Sequence, residues 1–252
     1  MLGTAMALAG CAPAPTAAAA EYPAKLLAWP MATGEENVTS TIAVSGTFDG
    51  KLRRYKGIGD GGQSEDQDPV FKVADGGTIQ NVIIGAPAGD GIHCSGSCTL
   101  RNVWWEDVGE DAATFRGTSR SSTMTVEGGG ARHARDKVFQ HNIQGTMIIR
   151  NFQAADIGAL IRSCGNCSTQ FQRTIIIENV TVTAPAKALV RVNANYGDTA
   201  TLSGITIIGD SGRKINICER YKGNDSGDEP VKIGNGADGT NCRYSPSDIT
   251  YR

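Results

Sequence analysis

Apolar residues come in short runs of Val, Ile, Leu and Ala separated by polar, glycine-rich turns, a pattern that predicts many short buried strands. The clearest run, Thr78-Ile79-Gln80-Asn81-Val82-Ile83-Ile84, recurs as Thr99-Leu100-Arg101-Asn102-Val103-Trp104-Trp105. Weaker copies follow at Thr123-Met124-Thr125-Val126, Ile149-Arg150-Asn151-Phe152, Ile177-Glu178-Asn179-Val180 and Leu202-Ser203-Gly204-Ile205. Aligned on the asparagine, positions 81, 102, 126, 151, 179 and 204 are spaced by 21, 24, 25, 28 and 25 residues. A repeat of that size, built from β-branched strands and glycine turns, reads as the coils of a solenoid. Helical repeats would show a 3.6-residue period and leucine-rich repeats a regular leucine frame, and neither is present. Stacked parallel coils sit about 4.8 Å apart, so equivalent positions form ladders. Asn81 and Asn102 are placed either to hydrogen-bond along such a ladder or to serve as ordinary turn formers. The stretch to about residue 75 and the tail after about residue 210 lack the repeat, and each is expected to cap an end where an open strand edge invites aggregation.

The chain has 252 residues and a formal net charge of −2, so it has no general basic surface for a nucleic-acid backbone, and an anionic ligand must meet a local cluster of bases. Seven cysteines suit an exported protein. They fall into Cys11, the close pairs Cys94/Cys98 and Cys164/Cys167, and Cys218 with Cys242, so six can pair and one is left over. Residues 1–20 form an apolar stretch ending in small residues, too short to span a bilayer. Leu8-Ala9-Gly10-Cys11 resembles a lipobox in which Cys11 would be lipidated, although no Lys or Arg precedes it; an ordinary leader cut near Ala19 or Ala20 is the alternative. The expected organisation is a leader over 1–20 and one domain over 21–252, exported, monomeric and without a transmembrane segment.

Distances from the asparagine position bring chemistry together. Asp90 lies nine residues after Asn81, and Glu110 and Asp111 lie eight and nine after Asn102. In register, these three carboxylates share one place on adjacent coils, an oxygen-rich set of the kind Ca²⁺ takes. A solvated acidic turn is the bland reading of each residue alone; their shared register favours the metal site. Lys137 lies eleven residues after Val126, and Arg162 eleven after Asn151, which places two bases on the next coils. A metal flanked by Lys and Arg suits a substrate carrying carboxylates. Apolar neighbours such as Val138 and Phe139 are expected to bury Lys137 partly and lower its pKa toward that of a base.

The run from Asp90 to Cys98, with Asn102-Val-Trp-Trp-Glu-Asp-Val-Gly-Glu-Asp-Ala112, Asp136-Lys-Val-Phe-Gln140, Ile148-Ile-Arg-Asn-Phe152, Arg162-Ser-Cys-Gly-Asn-Cys167 and Asn195-Tyr-Gly-Asp198, resembles the signature of the family 3 pectate lyases. That resemblance spans about Gly46 to Ile207. It implies a right-handed parallel β-helix and Ca²⁺-dependent eliminative cleavage of polygalacturonate. It also implies Asp90, Glu110 and Asp111 as calcium ligands, Lys137 and Arg162 as catalytic bases, and Lys51, Glu65 and Asp107 as supporting cleft residues. Arginine resists deprotonation, which favours Lys137 as the base. One position departs: Ala159 stands where the family usually has Lys. Lys187, eight residues after Asn179, falls at the same repeat position one coil on and is expected to compensate.

Zinc or redox chemistry at Cys94/Cys98 and Cys164/Cys167 lacks a second ligand pair at zinc spacing, so disulfides are expected. The rival functions are a polygalacturonase-type hydrolase, against which the Lys137 and Arg162 ladder argues, and a catalytically impaired pectin-binding protein, which Ala159 keeps in play.

Overall fold

The computed structural model describes residues 27–64 and 66–252; the expected leader with Cys11, and also Glu65, lie outside the described residues. The strands run parallel in three ladders wound as successive coils, which makes the chain a parallel β-helix. Alternation sends every second side chain inward, where it stacks on its counterpart in the next coil. Along the first ladder Ile79, Leu100, Val126, Ile149, Ile177 and Leu202 stand in register and are buried. Along the third, Phe71, Ile92, Ala113, Phe139, Ile161, Val190 and Cys218 do the same. Each fully buried aliphatic contributes about 1.5–3 kcal/mol, so coils hold one another together without a second layer of structure.

Between the first and second ladders the chain turns at a single left-handed residue in each coil. Asn81, Asn102, Gly128, Asn151, Asn179 and Gly204 have φ of 53°, 53°, 69°, 54°, 53° and 63°. Glycine adopts this conformation freely and asparagine tolerates it better than most residues. The asparagines also bond along the column: Asn102 Nδ2 donates to Asn81 Oδ1 at 2.9 Å, and Asn81 Nδ2 to Asp49 Oδ1 at 3.1 Å.

The alignment of the third copy on Val126 is corrected here. Val126 stacks between Leu100 and Ile149, and Gly128 takes the corner, so the steps are 21, 26, 23, 28 and 25 residues. A slip of two residues preserves the inside–outside alternation, which is why the hydrophobic pattern alone did not detect it.

The ends are more regular than the sequence suggested. Ile42–Val44 and Thr47–Lys56 already pair with the coils above them. Asn216–Lys222 and Ile249–Tyr251 extend the ladders at the other end, and among the described strands only Val231–Asn235 joins its neighbour antiparallel. Long connections over 57–70 and 223–230 and the replacement of the corner asparagine by Lys51-Leu52 hide these coils from a repeat search.

Disulfides join Cys94 to Cys98, Cys164 to Cys167 and Cys218 to Cys242, as expected; the last ties the third ladder to the first. Trp105 packs in the core against Phe139 and Phe152. Trp104 faces outward but is covered by Trp29, with ring centroids 5.0 Å apart, so neither tryptophan is an open platform for a sugar. No helix among the described residues is long and apolar enough to cross a membrane.

Candidate active site

The chain leaves the second ladder through turns that bring acidic residues over one another. Gly91 is essential there: a Cβ at this position would lie 2.1 Å from the Ala112 carbonyl oxygen, so only glycine lets the two turns approach. Ile92, Ala113 and Phe139 are in register on successive coils, and two residues before each stand Asp90, Asp111 and Lys137. The column continues through Ala159, Ala188 and Asn216.

Asp90, Glu110, Asp111 and Lys137 are 5%, 5%, 3% and 4% exposed, so this charge is held almost out of water. One oxygen from each of the three carboxylates lies within 4.8 Å of the others, and no other such group occurs among the described residues. Lys137 Nζ sits 2.9 Å from Glu110 Oε1, 3.1 Å from Asp111 Oδ1 and 3.3 Å from Asp136 Oδ2. His93 Nε2 hydrogen-bonds Asp90 Oδ2, and Thr114 Oγ1 donates to Asp111 Oδ2 at 3.3 Å. Asp90 Oδ1 has no hydrogen-bond partner, and Asp111 Oδ1 faces Lys137 at an angle that makes none.

The Lys137 ammonium serves two of the three buried carboxylates, Glu110 and Asp111, and the half-exposed Arg116 guanidinium lies 3.8 Å from the third, Asp90, so positive charge is short and the deficit appears in their protonation. Burial, opposed by Lys137 and reinforced by Asp90, pushes Glu110 up to about 7. Burial and the two neighbouring carboxylates push Asp111 well above the usual carboxylate range. The expectation that burial would lower Lys137 is only half met. Burial does favour the neutral amine, but Asp111 and Glu110 more than offset it and hold Lys137 above its ordinary value. An all-oxygen donor set with orphaned oxygens and a shortage of positive charge fits a hard divalent cation.

Arg162 stands elsewhere than the sequence count placed it. That count used Val126 as the corner; from Gly128, Lys137 is nine residues along, whereas Arg162 is eleven along from Asn151. Arg162 is in register with Gln140 and Thr114 on one side and Arg191 on the other, three positions further along its strand than Ala159, the counterpart of Lys137. The two bases still converge, because Asp136 lies 3.3 Å from Lys137 Nζ, 3.8 Å from Arg162 Nη1 and 3.3 Å from Arg191 Nη1. Arg191 is anchored in turn by buried Glu219 at 3.0 Å. His93, Asp136 and Arg191 were not assigned roles from sequence; Asp136 adjoins Lys137 in a quoted motif, while nothing in the local pattern marked Arg191.

The other predicted residues fall outside this cluster. Ala159 pairs with Ala188, which puts Lys187 beside Gly158 and one residue out of place to compensate for the missing lysine. Lys187 and Asp107 instead line a groove of about 420 Å³ with His133, Arg135 and Asp156. Lys51 is exposed at the corner beside Asp49 and Asn81, a full second-ladder strand away from the carboxylates.

Fold and site together define a parallel β-helix with a buried acidic cluster and converging bases on its third ladder. The pectate lyase family profile matches residues 27–228, and the chain belongs to the pectate lyase family. A probable pectate lyase E of Neosartorya fischeri is 48% identical over 219 residues, covering 85% of this chain and 83% of that protein. Pectate lyase E of Emericella nidulans is 45% identical over 220 residues, covering 86% and 84%. Among solved structures, the catalytic domain of pectate lyase PelI from Erwinia chrysanthemi superposes with a TM-score of 0.75 at 35% identity, covering 86% of this chain and 100% of that one. The same enzyme in complex with tetragalacturonic acid gives a TM-score of 0.72 at 34% identity, covering 86% and 70%.

Proposed function

We propose that the protein is an exported, calcium-dependent pectate lyase that cleaves polygalacturonate by β-elimination. The observation that carries this is the buried trio Asp90, Glu110 and Asp111 with the Lys137 amine among its oxygens and Arg162 beside it. The relative crystallised with tetragalacturonic acid supports a galacturonan substrate. Three disulfides support export. Every residue invoked comes from one chain, and the protein is taken to act as a monomer.

Asp90, Glu110 and Asp111 would hold the calcium ion. Bound there, calcium would neutralise the C6 carboxylate of a galacturonate, making the C5 proton more acidic, and would relieve the carboxylates' hold on Lys137. Arg162 presents a guanidinium fork suited to a second carboxylate interaction. Lys137 acts as the neutral amine, which takes the C5 proton and becomes the ammonium; the C5–H electron pair forms the C4–C5 double bond as the C4–O4 bond breaks, and O4 leaves to take a proton from solvent. Arg162 remains charged throughout, because guanidinium resists deprotonation. Asp136 keeps Lys137 and Arg162 facing the same point.

Purified protein incubated with polygalacturonate and Ca²⁺ is expected to generate ultraviolet absorbance from the unsaturated product, and none with chelator. New reducing ends without that absorbance would mean hydrolysis. Binding with neither signal would mean a catalytically impaired pectin-binding protein.

A further inference from the structure

The groove that takes up Lys187 and Asp107 runs along the helix axis across four coils, immediately upstream of the acidic and basic column. Each coil contributes to both features: Asp107 precedes Glu110 by three residues, Arg135 precedes Lys137 by two, and Gly158 and Lys187 immediately precede Ala159 and Ala188. Its floor is small and apolar, from Pro185, Ala186 and the backbone of Gly158, with the Ile157 side chain turned into the core beneath. Gly158 is required for that floor, since a Cβ there would lie 2.1 Å from the Asp136 carbonyl oxygen. On the rim, Arg135 and Lys187 are exposed, and neither forms an ion pair among the described residues. The acids of the rim are differently engaged: Asp156 Oδ2 is bonded to His133 Nδ1 at 2.8 Å, while Asp107 is exposed.

We propose that this groove is a second, carboxylate-reading subsite for galacturonan, in which Arg135 and Lys187 take the carboxylate of a unit away from the cleavage point. The C–H face of the sugar ring lies on the apolar floor, and Asp107 and the His133–Asp156 pair face its hydroxyls. A bare inorganic anion would gain nothing from that floor and would be repelled by Asp107. A methyl-esterified unit would fit the floor but leave both cations unpaired, so the groove selects for de-esterified pectin. The volume of about 420 Å³ lies within the usual range of small-ligand sites. This rests on the pectate lyase function proposed above, but the groove requires no metal and its binding is measurable separately.

The test is calorimetric titration of the whole protein with hexagalacturonate in chelator, where cleavage is absent. The Arg135→Ala/Lys187→Ala variant, with melting checked against the parent, is expected to bind about tenfold more weakly, the effect of two solvent-exposed charge contacts. The fully methyl-esterified hexamer is expected to bind both proteins equally. With Ca²⁺ and polygalacturonate, the loss in the double variant is expected to fall on KM more than on kcat. Equal affinity of parent and double variant for hexagalacturonate would overturn the subsite, as would an equal loss for the esterified hexamer. Charge-dependent hexamer binding in a parent that makes no unsaturated product would retain the subsite and reject the lyase function instead.

Discussion

Two columns run along this β-helix with the same coil-to-coil geometry and opposite electrostatic character. At the corner column, Asn81, Asn102, Gly128, Asn151, Asn179 and Gly204 repeat one conformation, and the asparagines use neighbouring polar groups as partners. In the site column, Asp90, Asp111, Lys137, Ala159, Ala188 and Asn216 also stack in register, but the chemistry changes along it from two carboxylates to an amine, two methyls and an amide, and buried oxygens are left without partners. Stacking converts repetition into stability when identical polar residues can bond to one another. It converts variation into a reactive site when unlike charges are forced into the same spacing. The corner holds the coils together, and the site draws on that stability to keep three carboxylates and an amine buried.

Substitutions should separate the columns. The largest effect is expected from Lys137→Ala, which should lower the rate of unsaturated-product formation by roughly 10²–10⁴-fold, the usual contribution of a positioned base, while the protein remains folded by circular dichroism. Next comes pH. Glu110 titrates at about 7 in the folded chain against an ordinary 4.5, so folding favours its protonated form. Its contribution is therefore fully present below about 4.5 and is lost as pH rises through about 7, amounting to about 3 kcal/mol. Denaturant unfolding in chelator should show this decline, and Glu110→Gln should flatten it. At the corner, Asn102→Ala forces alanine into a left-handed conformation and removes two hydrogen bonds, at a cost of about 2 kcal/mol. Its kcat should stay near that of the parent; a large loss of kcat would erase the distinction between the columns. The smallest effect carries the opposite sign. Asp111→Asn should raise stability in chelator by about 0.5–2 kcal/mol by relieving repulsion, while removing calcium-dependent activity.

The sequence made the solenoid and the acidic trio readable because both rest on local regularities: short β-branched runs, an asparagine every coil, and carboxylates at fixed offsets from it. It misplaced the coil containing Lys137 because a two-residue slip leaves alternation intact; only the left-handed backbone at Gly128 marks the true corner. A different irregularity put Lys187 opposite Ala159 when Ala188 stands there: between Thr183 and Ala186 the chain carries one residue more than between Ala155 and Ile157, a bulge that shifts the register by one. Asp136 and Arg191 stayed hidden because their roles arise from side chains crossing between coils. The sign of the Lys137 shift was also out of reach, since it depends on how closely two carboxylates approach a buried amine.

The most direct test of the account is a calcium titration followed by thermal melting and by unsaturated-product formation, on the parent and on Asp90→Asn/Glu110→Gln/Asp111→Asn, just above the pH range in which Glu110 titrates. In the parent, calcium should raise the melting temperature and switch on elimination over the same concentration range, and in the variant it should do neither. Elimination by the parent in chelator, or a calcium-induced melting shift that survives in the variant, would contradict it.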